Sequence, residues 1–333
     1  MTIHAATAEA VERAAAALMH GALVGFPTET VYGLGADAGN PAAVERIFAA
    51  KGRPADHPVI VHIAGADALP RWARTIPEGA RRLAAAFWPG PLTLILPRAG
   101  GVADVVTGGQ DTVGLRVPSH PVARALLEAF ARQGGHGIAA PSANRFGRIS
   151  PTTARHVEDD LGAATAMILD GGACAIGIES TIVAFDGDEP VLLRPGGLPL
   201  GELARVLGQA PLAAGAGAPR ASGTLAAHYA PRTRMQLITA TALRGEARQR
   251  QERDENPAVL AHSVPRPEDF SGTWIAAPGD CAGYAHDLYA NLRRLDAVEA
   301  DEILVEQPPR DDAWLAVRDR LARAAAGSDD DRD

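Results

Sequence analysis

The sequence predicts an α/β protein of two domains, a larger one around a twisted mixed sheet and a small Rossmann-like sandwich behind it. Three observations carry that prediction. At 333 residues the chain exceeds one average domain and falls short of three. Short runs rich in Val, Ile and Leu alternate with helical stretches along most of its length. One segment of Ala, Gly and Pro, residues 209–234, interrupts the alternation and reads as a linker.

Taken in order, residues 1–21 carry Glu9 and Glu12, lack a basic start, and read as an Ala-rich amphipathic helix and not as a signal peptide. Strand candidates follow at 22–26, 58–63, 92–96, 113–117, 166–169, 181–185 and 191–193, most bounded by Gly or Pro. Helices between them have recognisable starts: Asn40-Pro41 before 42–50, Ser119-His120-Pro121 before 122–132, and Ser150-Pro151 before 152–161. The connections are too irregular for strict βαβ repetition, so the sheet of this first domain, 1–208, is expected to be mixed. Beyond the 209–234 linker, strands at 235–239, 258–262, 273–276 and 302–305 interleave with helices at 240–253, 284–295 and 312–325. They make the second domain, 235–326. The remainder, 327–333, reads as a frayed acidic tail.

Composition narrows the function classes. With 47% hydrophobic and 22% charged residues, the chain can bury cores and keep a solvated surface, so disorder is confined to short stretches. A formal net charge of -8 repels a phosphate backbone, which disfavours a dedicated nucleic-acid binder. Two distant cysteines, Cys174 and Cys281, exclude a disulfide framework and a cysteine-based zinc module and suit a reducing, cytoplasmic setting. No apolar run is long enough to span a bilayer.

The chemistry-bearing residues sit at strand ends. Phe26-Pro27-Thr28-Glu29-Thr30-Val31-Tyr32-Gly33-Leu34-Gly35 ends a strand in a turn with hydroxyls and glycines; it reads either as a place where backbone approaches a ligand or as a self-capping turn. Lys51-Gly52-Arg53-Pro54 is either a helix C-terminus with its favoured cations or a basic turn leading to His62, itself either a ligand or a satisfied core histidine. Arg116 and Arg194 close apolar runs and require anionic partners. Pro141-Ser142-Ala143-Asn144 ends another strand. Ser150 reads as an N-cap or as part of an anion site at the following helix. Gly177-Ile178-Glu179-Ser180-Thr181 places small polar groups ahead of a strand. None of this is a Walker loop, a metal-ligand cluster or a nucleophile elbow, and the set points to positioning and charge neutralisation. Cys174, between two alanines, reads as a small buried thiol.

Seven motifs in sequence order, PTETVYGLGA from Pro27, KGRP from Lys51, PVIVHI from Pro58, VGLRVP from Val113, PSAN from Pro141, IESTIV from Ile178 and LRPG from Leu193, together resemble the threonylcarbamoyl-AMP synthase family with its YrdC-type domain. The HYAP segment at His228 and the sandwich behind it resemble the family's longer, two-domain branch. The resemblance implies synthesis of L-threonylcarbamoyladenylate and pyrophosphate from L-threonine, bicarbonate and ATP with Mg²⁺. The adenylate would pass to a separate transferase complex that modifies tRNA. Carried over motif by motif, Thr30, His62, Arg116, Ala140 and Ser180 would hold threonine. Lys51, Arg53, His57, Thr112, Ser142, Asn144, Ser150, Arg194 and Tyr229 would surround ATP, with Lys51 and Arg53 catalytic. His228 and Tyr229 would form a lid, and Mg²⁺ would be held through the ATP phosphates and not by protein ligands. The family's usual Ser-Pro-Gly-Met ahead of HYAP is replaced by Ala221-Ser222-Gly223-Thr224-Leu225.

Two rival readings remain at this stage. One is a YrdC-type carbamoyltransferase using carbamoyl phosphate, which resembles larger, cysteine-rich assemblies. The other is a non-enzymatic RNA-binding module with the four cations lining a phosphate groove, against which the acidic net charge argues.

Overall fold

The computed structural model describes residues 2–329, which divide into two compact units: one comprises the chain up to Phe146 together with Pro151–Thr224, the other Gly147–Ser150 and the chain from Leu225. The strands of the first unit are β1 (Ile3–Ala5), β2 (Val24–Phe26), β3 (Gly33–Asp37), β4 (Ile60–His62), β5 (Leu92–Pro97), β6 (Thr112–Arg116), β7 (Ile138–Ala139), β8 (Met167–Asp170), β9 (Thr181–Asp186), β10 (Glu189–Arg194) and β11 (Leu212–Ala213). They form one sheet in the order β1-β8-β2-β3-β7-β4-β6-β5-β9-β10-β11. Pairs such as β4·β6 and β5·β9 are parallel, whereas β3·β7, β4·β7 and β5·β6 are antiparallel, so the sheet is mixed.

Helices cover both faces. Ala8–Met19 and Pro121–Arg132 pack Leu18, Leu126 and Phe130 against Val24, Phe26, Ile138 and Leu169 on one side. On the other, Pro41–Lys51, Glu78–Phe87 and Ala154–Leu161 cover Leu34, Val61, Leu94, Leu115 and Val183. Each fully buried Leu, Ile or Phe contributes roughly 1.5–3 kcal/mol by transfer from water, so these two layers supply the driving force that fixes the strand ends. Helix Pro41–Lys51 shows why its ends fall where they do. The Asn40 side chain accepts from the Ala43 amide at 3.3 Å, Pro41 starts the first turn, and Gly52 at φ 63 ends the last in the left-handed conformation.

The second unit holds β12 (Met235–Ile238), β13 (Pro257–Ala261), β14 (Trp274–Ala276) and β15 (Glu302–Glu306), all parallel in the order β12-β15-β13-β14. Helix Ala240–Glu252 packs Leu243 and Ala247 on Val259, Ala261 and Leu304. Helices Cys281–Asp296 and Leu315–Asp329 pack together and onto the same sheet.

Several sequence expectations are corrected. Residues 3–5 are not helical: Ile3 pairs with Ile168, which caps an otherwise open sheet edge before Thr7 starts the helix. Gly33 and Gly35 are not part of a turn. They lie in β3, where a Cβ on Gly35 would stand 2.9 Å from both Ile138 and Phe26 side chains. Ser150 is not the N-cap of Ala154–Leu161; that place belongs to Thr153, whose extended backbone lets Oγ1 accept from the His156 amide at 3.3 Å. The 209–234 stretch, expected as a linker, is tied to the first unit in its first half. Strand β11 pairs with β10, the Arg220 amide donates to Gln110 at 2.7 Å, and the boundary between units falls after Thr224. Of the expected tail, 327–329 continue the last helix, with Ser328 buried and donating to Ala325 O, while 330–333 lie outside the described residues.

Candidate active site

One edge of the first sheet gathers the groups assigned to the amino acid. His62 ends β4 and Arg116 ends β6, and the parallel register sets them side by side. Across β5, Thr93 Oγ1 lies 2.8 Å from Ser180 Oγ, just ahead of β9. Thr30 is fully buried in the turn after β2, where Thr28 Oγ1 donates to Val31 O and lies 2.8 Å from Thr30 Oγ1. Ala140, at the end of β7, donates its amide to Ile60 O at 2.9 Å, which ties the strand end to β4. All five expected threonine residues are therefore buried in this unit.

The electrostatics of this edge turn on three groups. Arg116 Nη2 lies 2.7 Å from Glu29 Oε1, and both side chains are almost wholly buried. Burial pushes the Glu29 carboxyl up, but the Arg116 guanidinium and the Ser119 amide outweigh it and hold the group below the usual carboxylate range. Burial and the Arg116 charge push His62 down to about 3, so its ring is neutral at physiological pH. Neither His62 nitrogen finds a hydrogen-bond partner among the described residues. Glu29 Oε1 and Arg116 Nη2 face each other across the 2.7 Å ion pair and have no further hydrogen-bond partner among the described residues. Buried polar atoms without partners are costly and rare, and the two His62 nitrogens are such atoms beside this ion pair.

The nucleotide set is more dispersed. Lys51 ends its helix buried, and its ammonium donates to Ser142 O at 2.5 Å and to Asn144 O, holding the PSAN loop; burial and the Arg53 charge keep it well below the usual lysine range. Arg53 donates to Pro58 O at 2.8 Å and to Ser222 Oγ at 3.2 Å. Arg194 donates to Ser180 O at 2.8 Å and to Ser222 O at 2.7 Å. Ser222 thus bridges the two arginines, while Ala221 packs on Ile60, Ile95 and Ile182. His57 stacks edge-on to Phe146 at 5.5 Å and is lowered by burial and by Arg53. Thr112 begins β6, the strand that Arg116 ends, roughly 13 Å away by strand rise.

Three assigned residues belong to the second unit. Ser150 is fully buried there, and its carbonyl accepts from Arg293. Tyr229 adopts φ 65, uncommon for a side-chain-bearing residue, under Arg320 at 5.2 Å and beside Tyr289 at 5.7 Å. The His228 ring packs 4.1 Å from that of Tyr229.

Sequence reasoning passed over Glu29, Thr93 and Ser222. Glu29 stands between two threonines in a turn motif, and its signal was a lone carboxylate in a buried-looking stretch facing an arginine that needed a partner. Cys174 is buried as expected, and burial raises its thiol to about 12, which rules it out as a thiolate nucleophile.

Comparison with known proteins identifies the family. The telomere recombination family model, which groups Sua5, YciO and YrdC, matches residues 16–196, and the model for the threonylcarbamoyl-AMP synthase C-terminal domain matches 199–326. A threonylcarbamoyl-AMP synthase from Pyrococcus abyssi is 42% identical over 324 residues, covering 94% of this chain and 93% of its own. The chain belongs to the threonylcarbamoyl-AMP synthase family. The Bacillus subtilis member is 40% identical, covering 95% of this chain and 93% of its own. Among solved structures, P. abyssi Sua5 complexed with L-threonine superposes with a TM-score of 0.89 at 38% identity, covering 98% of this chain and 97% of that one. Family membership extends over both units. No helix among the described residues is long and apolar enough to cross a membrane.

Proposed function

We propose that this chain is an L-threonylcarbamoyladenylate synthase that uses L-threonine, bicarbonate and Mg²⁺-ATP in the cytoplasm and hands its product to a tRNA-modifying transferase complex. The observation that carries the reading is the buried His62, Arg116 and Ser180 set at one sheet edge, with Arg53 and Arg194 brought together through Ser222. The threonine ammonium first releases a proton, and the free amine combines with bicarbonate to give the N-carboxylate and water. An oxygen of that carboxylate attacks the α-phosphorus of ATP, the bond to the β-phosphate oxygen breaks, and pyrophosphate leaves.

The residues supply positioning and charge, with no covalent intermediate on the chain. Arg116 takes the threonine carboxylate with its planar fork. Thr30 and neutral His62 meet the substrate hydroxyl. Arg53 and Arg194 balance the charge that moves onto the departing pyrophosphate, the kind of preorganised donor whose loss costs about 2–4 kcal/mol. Mg²⁺ enters as the counter-ion of the ATP phosphates and shares that task. Lys51 acts on the nucleotide side by fixing the Ser142–Asn144 backbone. The family resemblance assigns Ser150, His228 and Tyr229 to ATP and its lid; unchanged ATP affinity in Tyr229→Ala would remove that assignment.

The test is pyrophosphate release from Mg²⁺-ATP by the purified chain, omitting L-threonine or bicarbonate in turn, with the nucleotide product identified by mass. Release that requires both, with threonylcarbamoyl-AMP formed, is the expected result. Release supported by carbamoyl phosphate instead would overturn it.

A further inference from the structure

We propose that Glu29 is the receptor for the substrate ammonium group, so that Glu29 and Arg116 together clamp the two charged ends of a zwitterionic α-amino acid. The inference rests on the reading of L-threonine as substrate and adds to it a residue that none of the motif assignments uses.

Beyond their mutual contact, Arg116 Nη2 carries a second N–H and Glu29 Oε1 a second lone pair, and neither meets another partner among the described residues. The neutral His62 ring carries one N–H and one bare nitrogen, which suit a hydroxyl. These groups are mutual neighbours: Arg116 lies beside His62 in the β4·β6 register and 2.7 Å from Glu29. A carboxylate, an ammonium and a hydroxyl on adjacent carbons satisfy them at once, and that is the polar inventory of a β-hydroxy α-amino acid.

Charge balance points the same way. A buried Arg–Glu pair is neutral overall, and a zwitterion is neutral overall. Inserted head to tail, the zwitterion produces an alternating square of charges in which every cation faces two anions. A ligand carrying only the carboxylate would leave two anions competing for Arg116 in a desolvated site. Glu29 is held for this task from behind, because its other oxygen accepts from the Ser119 amide at 3.1 Å and Ser119 follows Arg116 by three residues. The same segment of chain therefore fixes both ends of the clamp.

The test compares L-threonine with (R)-3-hydroxybutyrate, which keeps the carboxylate and hydroxyl and lacks the ammonium, by titration calorimetry on the full chain. Wild type should prefer threonine. Glu29→Gln should lose about 10- to 100-fold in threonine affinity, the scale of one charge-assisted hydrogen bond, while 3-hydroxybutyrate binding stays the same or improves. The ratio of the two affinities is what a merely structural role would not move, and ATP binding in the variant reports that the unit is folded. Should Glu29→Gln not fold, Glu29→Asp, which retains the charge on a shorter arm, is expected to weaken threonine binding and spare the analogue. Unchanged threonine affinity in Glu29→Gln, or in Glu29→Asp where that variant alone folds, overturns the clamp alone. Wild-type protein that binds no L-threonine overturns the substrate reading and the clamp with it.

Discussion

Replacing Arg116 by Met tests the electrostatics of the site through stability, independently of turnover. The substitution removes the cation 2.7 Å from Glu29 and the hydrogen bond from Nε to Gly90 O at 3.3 Å, and it keeps most of the apolar stem. Glu29 is then a buried carboxylate without its counter-charge, and its cheapest escape is to take up a proton. Against an unfolded value of 4.5, holding a proton at pH 7 costs about 1.36 × 2.5, or ~3.4 kcal/mol. At pH 5 the same term is about 0.7 kcal/mol. In wild type the sign is opposite: Glu29 is held below its unfolded value, so its contribution is present above pH 4.5 and fades only as pH falls through the lowered value. The variant should therefore be destabilised by about 3–5 kcal/mol at pH 7, and the deficit should shrink by about 2.7 kcal/mol on going to pH 5. Urea unfolding followed by hydrogen exchange of β6 peptides reads the first unit without interference from the second. A deficit under about 1 kcal/mol at pH 7, or one that does not change between pH 7 and 5, would falsify the buried-pair argument.

Three further outcomes follow from the same geometry. Arg53→Ala should raise the barrier to pyrophosphate release by about 2–4 kcal/mol, seen mainly in kcat/KM; wild-type-like turnover would remove Arg53 from the phosphate site. His62, held neutral down to about pH 3, makes the fold lose stability as pH falls from its unfolded value of 6.5, because the unfolded chain binds a proton there that the folded one refuses; His62→Asn should flatten that part of the stability curve, and an unchanged acid limb would show that the histidine is solvated. Gly35→Ala places a Cβ 2.9 Å from Ile138 and Phe26 and should lower stability by about 1–3 kcal/mol through overpacking, measured as a drop in Tm; a neutral or stabilising effect would mean that β3 can move away.

How much was legible in the sequence depended on what kind of residue marked each element. Strands β4, β5, β6 and β9 were visible because Val, Ile and Leu runs stop at a His, Pro, Arg or Gly that cannot continue them. Strand β3 was not, since Gly-Leu-Gly-Ala-Asp has no β-branched residue; its conformation is imposed by Phe26 and Ile138 filling the space that its glycines leave. Strand β1 hid inside an Ala-rich stretch, because three residues carry no period and only pairing with Ile168–Asp170 of β8 makes them a strand. In the site, Lys51, Arg53, Arg116 and Arg194 could be read as isolated cations in apolar or turn contexts. Glu29 could not, because its significance lies in a contact 87 positions along the chain. Ser222 was equally hidden: its role comes from two arginines distant in sequence, Arg53 after the Pro41–Lys51 helix and Arg194 at the end of β10.

Strand β7 is only Ile138 and Ala139, yet it is the one link between β3 and β4 in the sheet. The sheet is thus two wings joined through this short strand and the backbone that follows it, where the Leu34 amide donates to Pro141 O and the Ala140 amide to Ile60 O. Thr30 hangs from one wing and His62, Arg116 and Ser180 from the other, so the amino-acid site is divided between the two. A side chain as small as that of Ala139 then holds an authority out of proportion to its size: changes there would leave every motif intact while shifting Thr30, and the turn that carries Glu29, against His62 and Arg116. Damage to this protein can accordingly be silent in its motifs and still complete in its effect.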